Sequence, residues 1–144
     1  MARTLVHQEV QSLHYEVQKV WSIVSKFGAI HTWAPSVSNC VVKGEGLGSV
    51  RTVTESGITF DERLEVLDPE SHTISYRILD PTAFPMTGFH GTIHLEQNAG
   101  DETVLTWTAD AESIDQQGLQ VISPVMSAFI KKSISGLNET LQRS

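Results

Sequence analysis

Apolar and polar residues alternate along most of this chain, and near its C-terminus the apolar ones switch to a longer period. Ser123–Leu141 carries this period: at 100° per residue Met126, Ile130, Ser133, Leu137 and Leu141 fall within one stripe that Leu119 extends upstream, with Ile122 at its edge. Ser123 before Pro124 reads as an N-cap followed by proline at the first helical position. The spacing therefore predicts a helix over Pro124 to Gln142, roughly 28 Å long. Its stripe is thin. Ser133 lies near the centre, and Ser127 and Ala128 are small, a pattern that suits open space better than dense packing.

Upstream, Thr4 to Leu13 alternates as a first strand. Tyr15 to Phe27 is helical by the spacing of Val17, Val20, Trp21 and Val24, and a second short helical piece, Ala29 to Trp33, stops before Pro35. Strands are then predicted over Val37–Lys43, Ser49–Glu55, Ile58–Leu67, Thr73–Leu79, Thr87–Glu96 and Thr103–Ala111, separated by turn residues. The order is β-α-α-β-β-β-β-β-β-α. Short turns between the later strands make them one antiparallel meander, so the class is α+β and residues 1–144 form a single domain. A long helix after such a run must bury its stripe on the sheet.

Period-two phasing selects the residues that face this helix. Phe89, Ile93 and Leu95 point inward with Gly91 in phase, as do Ile74, Tyr76 and Ile78. On Ile58–Leu67 the inward set is Phe60, Leu64 and Val66, with Glu62 among them. If Ser56-Gly57 is a two-residue hairpin loop, Phe60 faces Val53 and Glu62 faces Arg51. One carboxylate and one guanidinium then oppose each other on the inner face. Such a pair is either a structural ion pair or the anchor for a polar group of a ligand. Tyr76 likewise needs a partner, structural or bound, for a hydroxyl on an apolar face. The last strand admits two phases. Hydrophobicity favours Leu105, Trp107 and Ala109 inside, whereas a polar cavity wall would use Thr106, Thr108 and Asp110.

Composition narrows the partners. The chain of 144 residues is 40% hydrophobic and 19% charged, with a formal net charge of −7 and scattered Lys and Arg. That argues against nucleic acid or an anionic membrane as partner. Cys40 is the single cysteine, so no intrachain disulfide forms and a reducing compartment is expected. No apolar run or leader supports membrane insertion or secretion, and the chain reads as cytoplasmic. The glycines of Gly44–Gly48 lack the Lys-Ser/Thr of a phosphate loop. His90 and His94 on one strand face lie about 13 Å apart, too far for one ion, and read as a solvated face. No metal or cofactor is expected.

Taken together, Val20-Trp21 through Phe27, Trp33-Ala34-Pro35, Cys40, Gly48-Ser49-Val50-Arg51 and Glu62-Arg63-Leu64-Glu65-Val66-Leu67-Asp68 resemble the START-like (SRPBCC) superfamily. Its members include polyketide cyclase/dehydrase-type proteins and, more distantly, the plant abscisic-acid receptors. The resemblance implies a helix-grip fold, in which a curved seven-stranded antiparallel sheet wraps a long C-terminal helix around an apolar cavity. It also implies that hydrophobic small molecules bind there. It places Arg51, Val53, Phe60, Glu62, Phe89, Met126, Phe129 and Ile130 on the wall, and it favours Thr106, Thr108 and Asp110 as inward. With the phased positions added, the candidate ligand-binding residues are Arg51, Val53, Phe60, Glu62, Tyr76, Ile78, Met86, Phe89, Met126, Phe129, Ile130 and Ser133. The chain departs from the hormone receptors in three places. Ala34 stands where they carry a lysine, Glu55-Ser56-Gly57-Ile58 is shorter than their gate loop, and Phe84-Pro85-Met86 replaces their latch. These departures point away from hormone reception. The loop from Asp80 to Met86, with Phe84, is a candidate lid.

Three functions compete. The first is a binding module for a lipid, polyketide or similar hydrophobic molecule, acting as a monomer or homodimer. The second is a cyclase, dehydratase or isomerase with Glu62 as acid–base, Arg51 stabilising negative charge, Tyr76 as acid and His31 at the cavity mouth. The third is protein interaction through the loops at that mouth.

Overall fold

The computed structural model describes residues 3–79 and 85–144. Seven strands form one antiparallel sheet: β1 (Thr4–Leu13), β2 (Val37–Lys43), β3 (Val50–Glu55), β4 (Ile58–Asp68), β5 (Thr73–Leu79), β7 (His90–Asn98) and β8 (Glu102–Ala111). Their spatial order is β1-β8-β7-β5-β4-β3-β2, a meander closed at one edge by the first strand. Two short strands, β6 (Met86–Thr87) and β9 (Ser113–Ile114), pair separately. They are too short to carry an alternation, and the sequence does not announce them. Helix α1 (Val17–Val24) buries Val17, Val20, Trp21 and Val24, and a 3-10 turn follows over Phe27–Thr32. Helix α2 spans Gln116–Arg143 and closes the core against the inner face of the sheet. The class is α+β, as expected.

The β3–β4 hairpin settles the register on which the cavity argument turns. Ser56 and Gly57 have φ values of 51° and 83°, as a two-residue loop that follows the strands' twist requires. Arg51 pairs with Glu62 and Val53 with Phe60. Further along β4 the register against β5 shifts between Leu64 and Val66. This bulge flips the phase, so Val66 is 40% exposed rather than inward, and Leu67 packs against the core instead.

Helix α2 corrects its predicted start. It begins two turns earlier, where the Asp115 side chain accepts a hydrogen bond from the Gly118 amide, and Pro124 lies inside it. Proline has no N–H for the Gln120 carbonyl, but both residues are exposed, on the side of the helix where solvent can take the place of that donor. The first two turns escape the stripe because Gln116, Gln117 and Gln120 are exposed.

On β8, Thr103, Leu105, Trp107, Ala109 and Ala111 are buried and the alternate residues are only partly so. Hydrophobicity therefore decides the phase. The inward placement of Thr106, Thr108 and Asp110 suggested by the family resemblance is overturned. Asp110 instead pairs with Arg3 on the outer face of the sheet.

Candidate functional site

Between α2 and the sheet lies a cavity in which the centre of a water-sized sphere can range over about 40 Å³. The strands supply Val53, Phe60, Glu62, Tyr76 and Ile78, with Phe89 just ahead of β7. Ile30 and Val37 close one side, and α2 contributes Val125, Met126 and Phe129. Glu55, Val125 and Phe129 also line an outer groove of about 310 Å³ with Ser36, Ser56, Ala128 and Lys132. The shared residues make this groove the vestibule of the cavity. The inner space is the size of a few water molecules. A larger guest must extend through the vestibule or displace Val125 and Phe129.

The wall is apolar except at Glu62, Tyr76 and, at the mouth, Glu55. Glu62 Oε1 accepts from Arg51 Nε at 2.7 Å, and both side chains are nearly sealed, at 4% and 7% exposure for Arg51 and Glu62. Arg51 Nη1 donates to the Phe27 carbonyl at 2.8 Å. Its guanidinium also lies 4.1 Å from the Phe27 ring centroid and 4.8 Å from that of Tyr76. Arg51 thus ties the β3–β4 hairpin to the 3-10 turn. Burial pushes the Glu62 carboxyl above its ordinary value, and the adjacent guanidinium opposes that rise.

Tyr76 sits across from Gly91 on β7, and its ring occupies the volume that a Cβ there would need. Burial, and next the Glu62 charge, push the Tyr76 phenol up; Arg51 and Trp107 pull the other way. Its hydroxyl lies over Gly91, beside the Trp107 indole. The proton therefore stays on oxygen at neutral pH.

Of the expected wall residues, Val53, Phe60, Glu62, Tyr76, Ile78, Phe89, Met126 and Phe129 line this cavity. Four others are placed off it. Arg51 stands behind Glu62. Met86 is buried in the β6–β9 pair, and Ile130 and Ser133 are fully buried further along α2. The stripe continues past the cavity into solid packing, which is why spacing alone could not separate them. Ile30, Val37, Glu55 and Val125 line the cavity without having been singled out. Val37 alone among them carried a signal, as the apolar first residue of its strand. His31 is exposed and lies away from the cavity lining. Of the candidate lid over Asp80–Met86, residues 80–84, Phe84 among them, lie outside the described residues. Among the described residues no three potential metal ligands gather, and no helix is long and apolar enough to cross a membrane.

A sheet gripping a long C-terminal helix over a cavity with one internally neutralised pair defines a small helix-grip protein of the START-like, ligand-binding kind. Residues 5–143 match the family model described as polyketide cyclase / dehydrase and lipid transport, and the chain belongs to that family. A stretch of 82 residues is 40% identical to the abscisic acid receptor PYL10 of Arabidopsis thaliana. It covers 53% of this chain and 43% of the receptor, so the match spans less than half of that relative. Among solved structures, a protein from Thermobifida fusca superposes with a TM-score of 0.84 at 23% identity, over 99% of this chain and 95% of its own. Norcoclaurine synthase from Thalictrum flavum, in complex with dopamine and hydroxybenzaldehyde, gives 0.80 at 12% identity, over 99% and 88%. At these identities the likeness is one of fold.

Proposed function

We propose that this protein binds a hydrophobic small molecule, of the lipid, polyketide or similar kind, between the sheet and α2, as a monomer or homodimer. The observation that carries the reading is the wall itself. Nine apolar side chains surround a cavity whose one interior carboxylate is already neutralised by Arg51. A wall so built repels water-soluble solutes and accepts apolar ones at little electrostatic cost. The vestibule, with Lys132 and Glu55 at its rim, gives a larger ligand room to extend outward.

Displacement of the neutral fluorophore N-phenyl-1-naphthylamine tests this. Wild type is expected to bind the dye, and Val53→Trp, which fills the cavity, to lose most of that binding while staying folded. Equal dye binding by both proteins would overturn the assignment, as would none by wild type combined with no ligand retained in native mass spectrometry.

A second reading rests on Glu62. A buried carboxyl with a raised pKa, facing a cavity beside an un-ionised phenol, has the form of an acid–base catalyst. In a cyclase, dehydratase or isomerase, Glu62 would move the proton, and Arg51, bonded to it from behind, would steady the charge on the Glu62 carboxylate rather than touch the substrate. Full turnover of an identified substrate by Glu62→Gln would end that reading.

A further inference from the structure

Charge is sorted by depth across the two connected spaces. The inner lining carries two carboxylates, Glu62 and Glu55, and among the described residues no cation. Glu62 has its counter-ion in Arg51, behind the wall, and Glu55 accepts a hydrogen bond from the Ser56 hydroxyl. The vestibule adds Lys132 and Ser36. Lys132 makes no ion pair or hydrogen bond among the described residues, and the Ser36 Oγ is buried without a partner among them. The two residues belong to opposite walls. Val125, Ala128, Phe129 and Lys132 share one face of α2, so Lys132 stands about one turn beyond Phe129. Ser36 lies just ahead of β2, and its carbonyl oxygen accepts from the Ser56 amide at 3.2 Å, which ties it to the β3–β4 turn. A surface lysine by itself is ordinary. This one shares an apolar-floored groove with an unpartnered hydroxyl, and the groove opens into an apolar cavity.

Resting on the reading of the cavity as a binding site, we infer that the ligand is an amphipathic acid, seated with its apolar end in the cavity and its carboxylate in the vestibule between Lys132 and Ser36. The inner space, about 40 Å³, takes only a short apolar segment, so the rest of a lipid-like molecule must lie over Val125, Ala128 and Phe129. There it meets two donors that have nothing to donate to. A carboxylate has an oxygen for each, one for the ammonium and one for the hydroxyl. The reverse orientation would set the carboxylate between Glu62 and Glu55, where like charges repel and no cation lines the wall. An ammonium end would meet Lys132 in the vestibule. A neutral alcohol would satisfy the hydroxyl but leave the Lys132 charge without a partner.

Three eight-carbon probes test the inference: octanoate, 1-octanol and octylamine, each displacing N-phenyl-1-naphthylamine at pH 7.5 and low salt. Wild type is expected to bind octanoate about fivefold more tightly than octylamine. Lys132→Gln should weaken octanoate about fivefold and leave 1-octanol unchanged, and Lys132→Glu should reverse the order so that octylamine binds better. Ser36→Ala should weaken octanoate about threefold. Lys131→Gln is the control. It removes the same charge from a side chain turned about 100° away, toward Glu9 of β1, and should leave all three affinities unchanged. Equal losses of octanoate affinity in the Lys131 and Lys132 variants would reduce the effect to net charge and overturn the inference. So would an octanoate affinity that Lys132→Gln leaves unmoved, or a wild type that prefers octylamine. In each of these cases displacement by 1-octanol leaves the binding reading standing. If none of the three probes displaces the dye, both fall.

Discussion

The two halves of α2 do different work. From Ile130 to Leu141 the inward residues Ile130, Ser133, Ile134, Leu137 and Leu141 are at most 1% exposed. From Gln116 to Phe129 the helix is more loosely covered: Gly118 and Ile122 are buried, but Leu119, Met126 and Phe129 are only partly so, and Val121 and Val125 are 60% and 51% exposed. Pro124 sits within this looser half. One half is core and the other is wall. A single amphipathic stripe can thus hold the fold together at one end and leave room for a guest at the other, without any break in the helix.

Deletions in the two halves sharpen that contrast most. Leu137→Ala removes a fully buried side chain and is expected to cost about 4 kcal/mol in denaturant unfolding, against about 1 kcal/mol for Met126→Ala, which only enlarges an existing space. Comparable losses at both sites would erase the distinction. The two buried glycines of the helix provide the next test. A Cβ on Gly136 would collide with the Trp33 carbonyl oxygen and lie 2.6 Å from Pro35 Cδ, whereas on Gly118 its nearest neighbours are at 3.0 Å. Gly136→Ala is expected to cost about 3 kcal/mol, and Gly118→Ala to stay within about 1 kcal/mol of wild type because the gain in helix propensity offsets the tight fit. Smaller again is Ser133→Ala. The serine hydroxyl is buried without a partner among the described residues, so its removal should raise stability by about 1 kcal/mol; a loss of stability would mean that the hydroxyl is satisfied in solution.

The smallest effect belongs to a control away from the helix. Burial, then the positive charge of Arg3, lower the His90 pKa from its ordinary value of 6.5, with Asp110 and Glu65 partly opposing. Below that value the unfolded chain takes up a proton that the folded one resists. Stability should therefore fall on acidification from about pH 7 to about pH 5, and His90→Gln should flatten the slope. An unchanged slope would show that His90 titrates freely. The differences between the two halves of α2 should be the same in either background.

Much of this was legible beforehand. Strand alternation and a two-residue hairpin loop are local and stiff, so the Arg51–Glu62 opposition could be derived from residue types alone. Two features were not legible. The bulge that turns Val66 outward depends on how β4 meets β5, a tertiary matter that no local pattern records. The start of α2 was misplaced because Ser123-Pro124 imitates a helix N-terminus and the true first turns are polar. The division of the stripe into wall and core was only hinted at by Ser133, and that hint pointed to the wrong place: the serine is sealed in the core. On β8, plain hydrophobic alternation proved a better guide to facing than family resemblance did.

The Ser56-Gly57 turn has a consequence for how such a chain can change. Because neighbouring residues point to opposite sides of a strand, the turn works as a parity switch for everything beyond it. Point substitutions in the turn leave the parity intact. A single-residue insertion or deletion would swap the odd and even positions of one strand relative to the other, replacing the Arg51–Glu62 pairing by one between residues of opposite faces. Variation in length at this one place is therefore discontinuous. Descendants of this chain can drift in the turn's composition, but a change in its length by one residue founds a pocket with different chemistry.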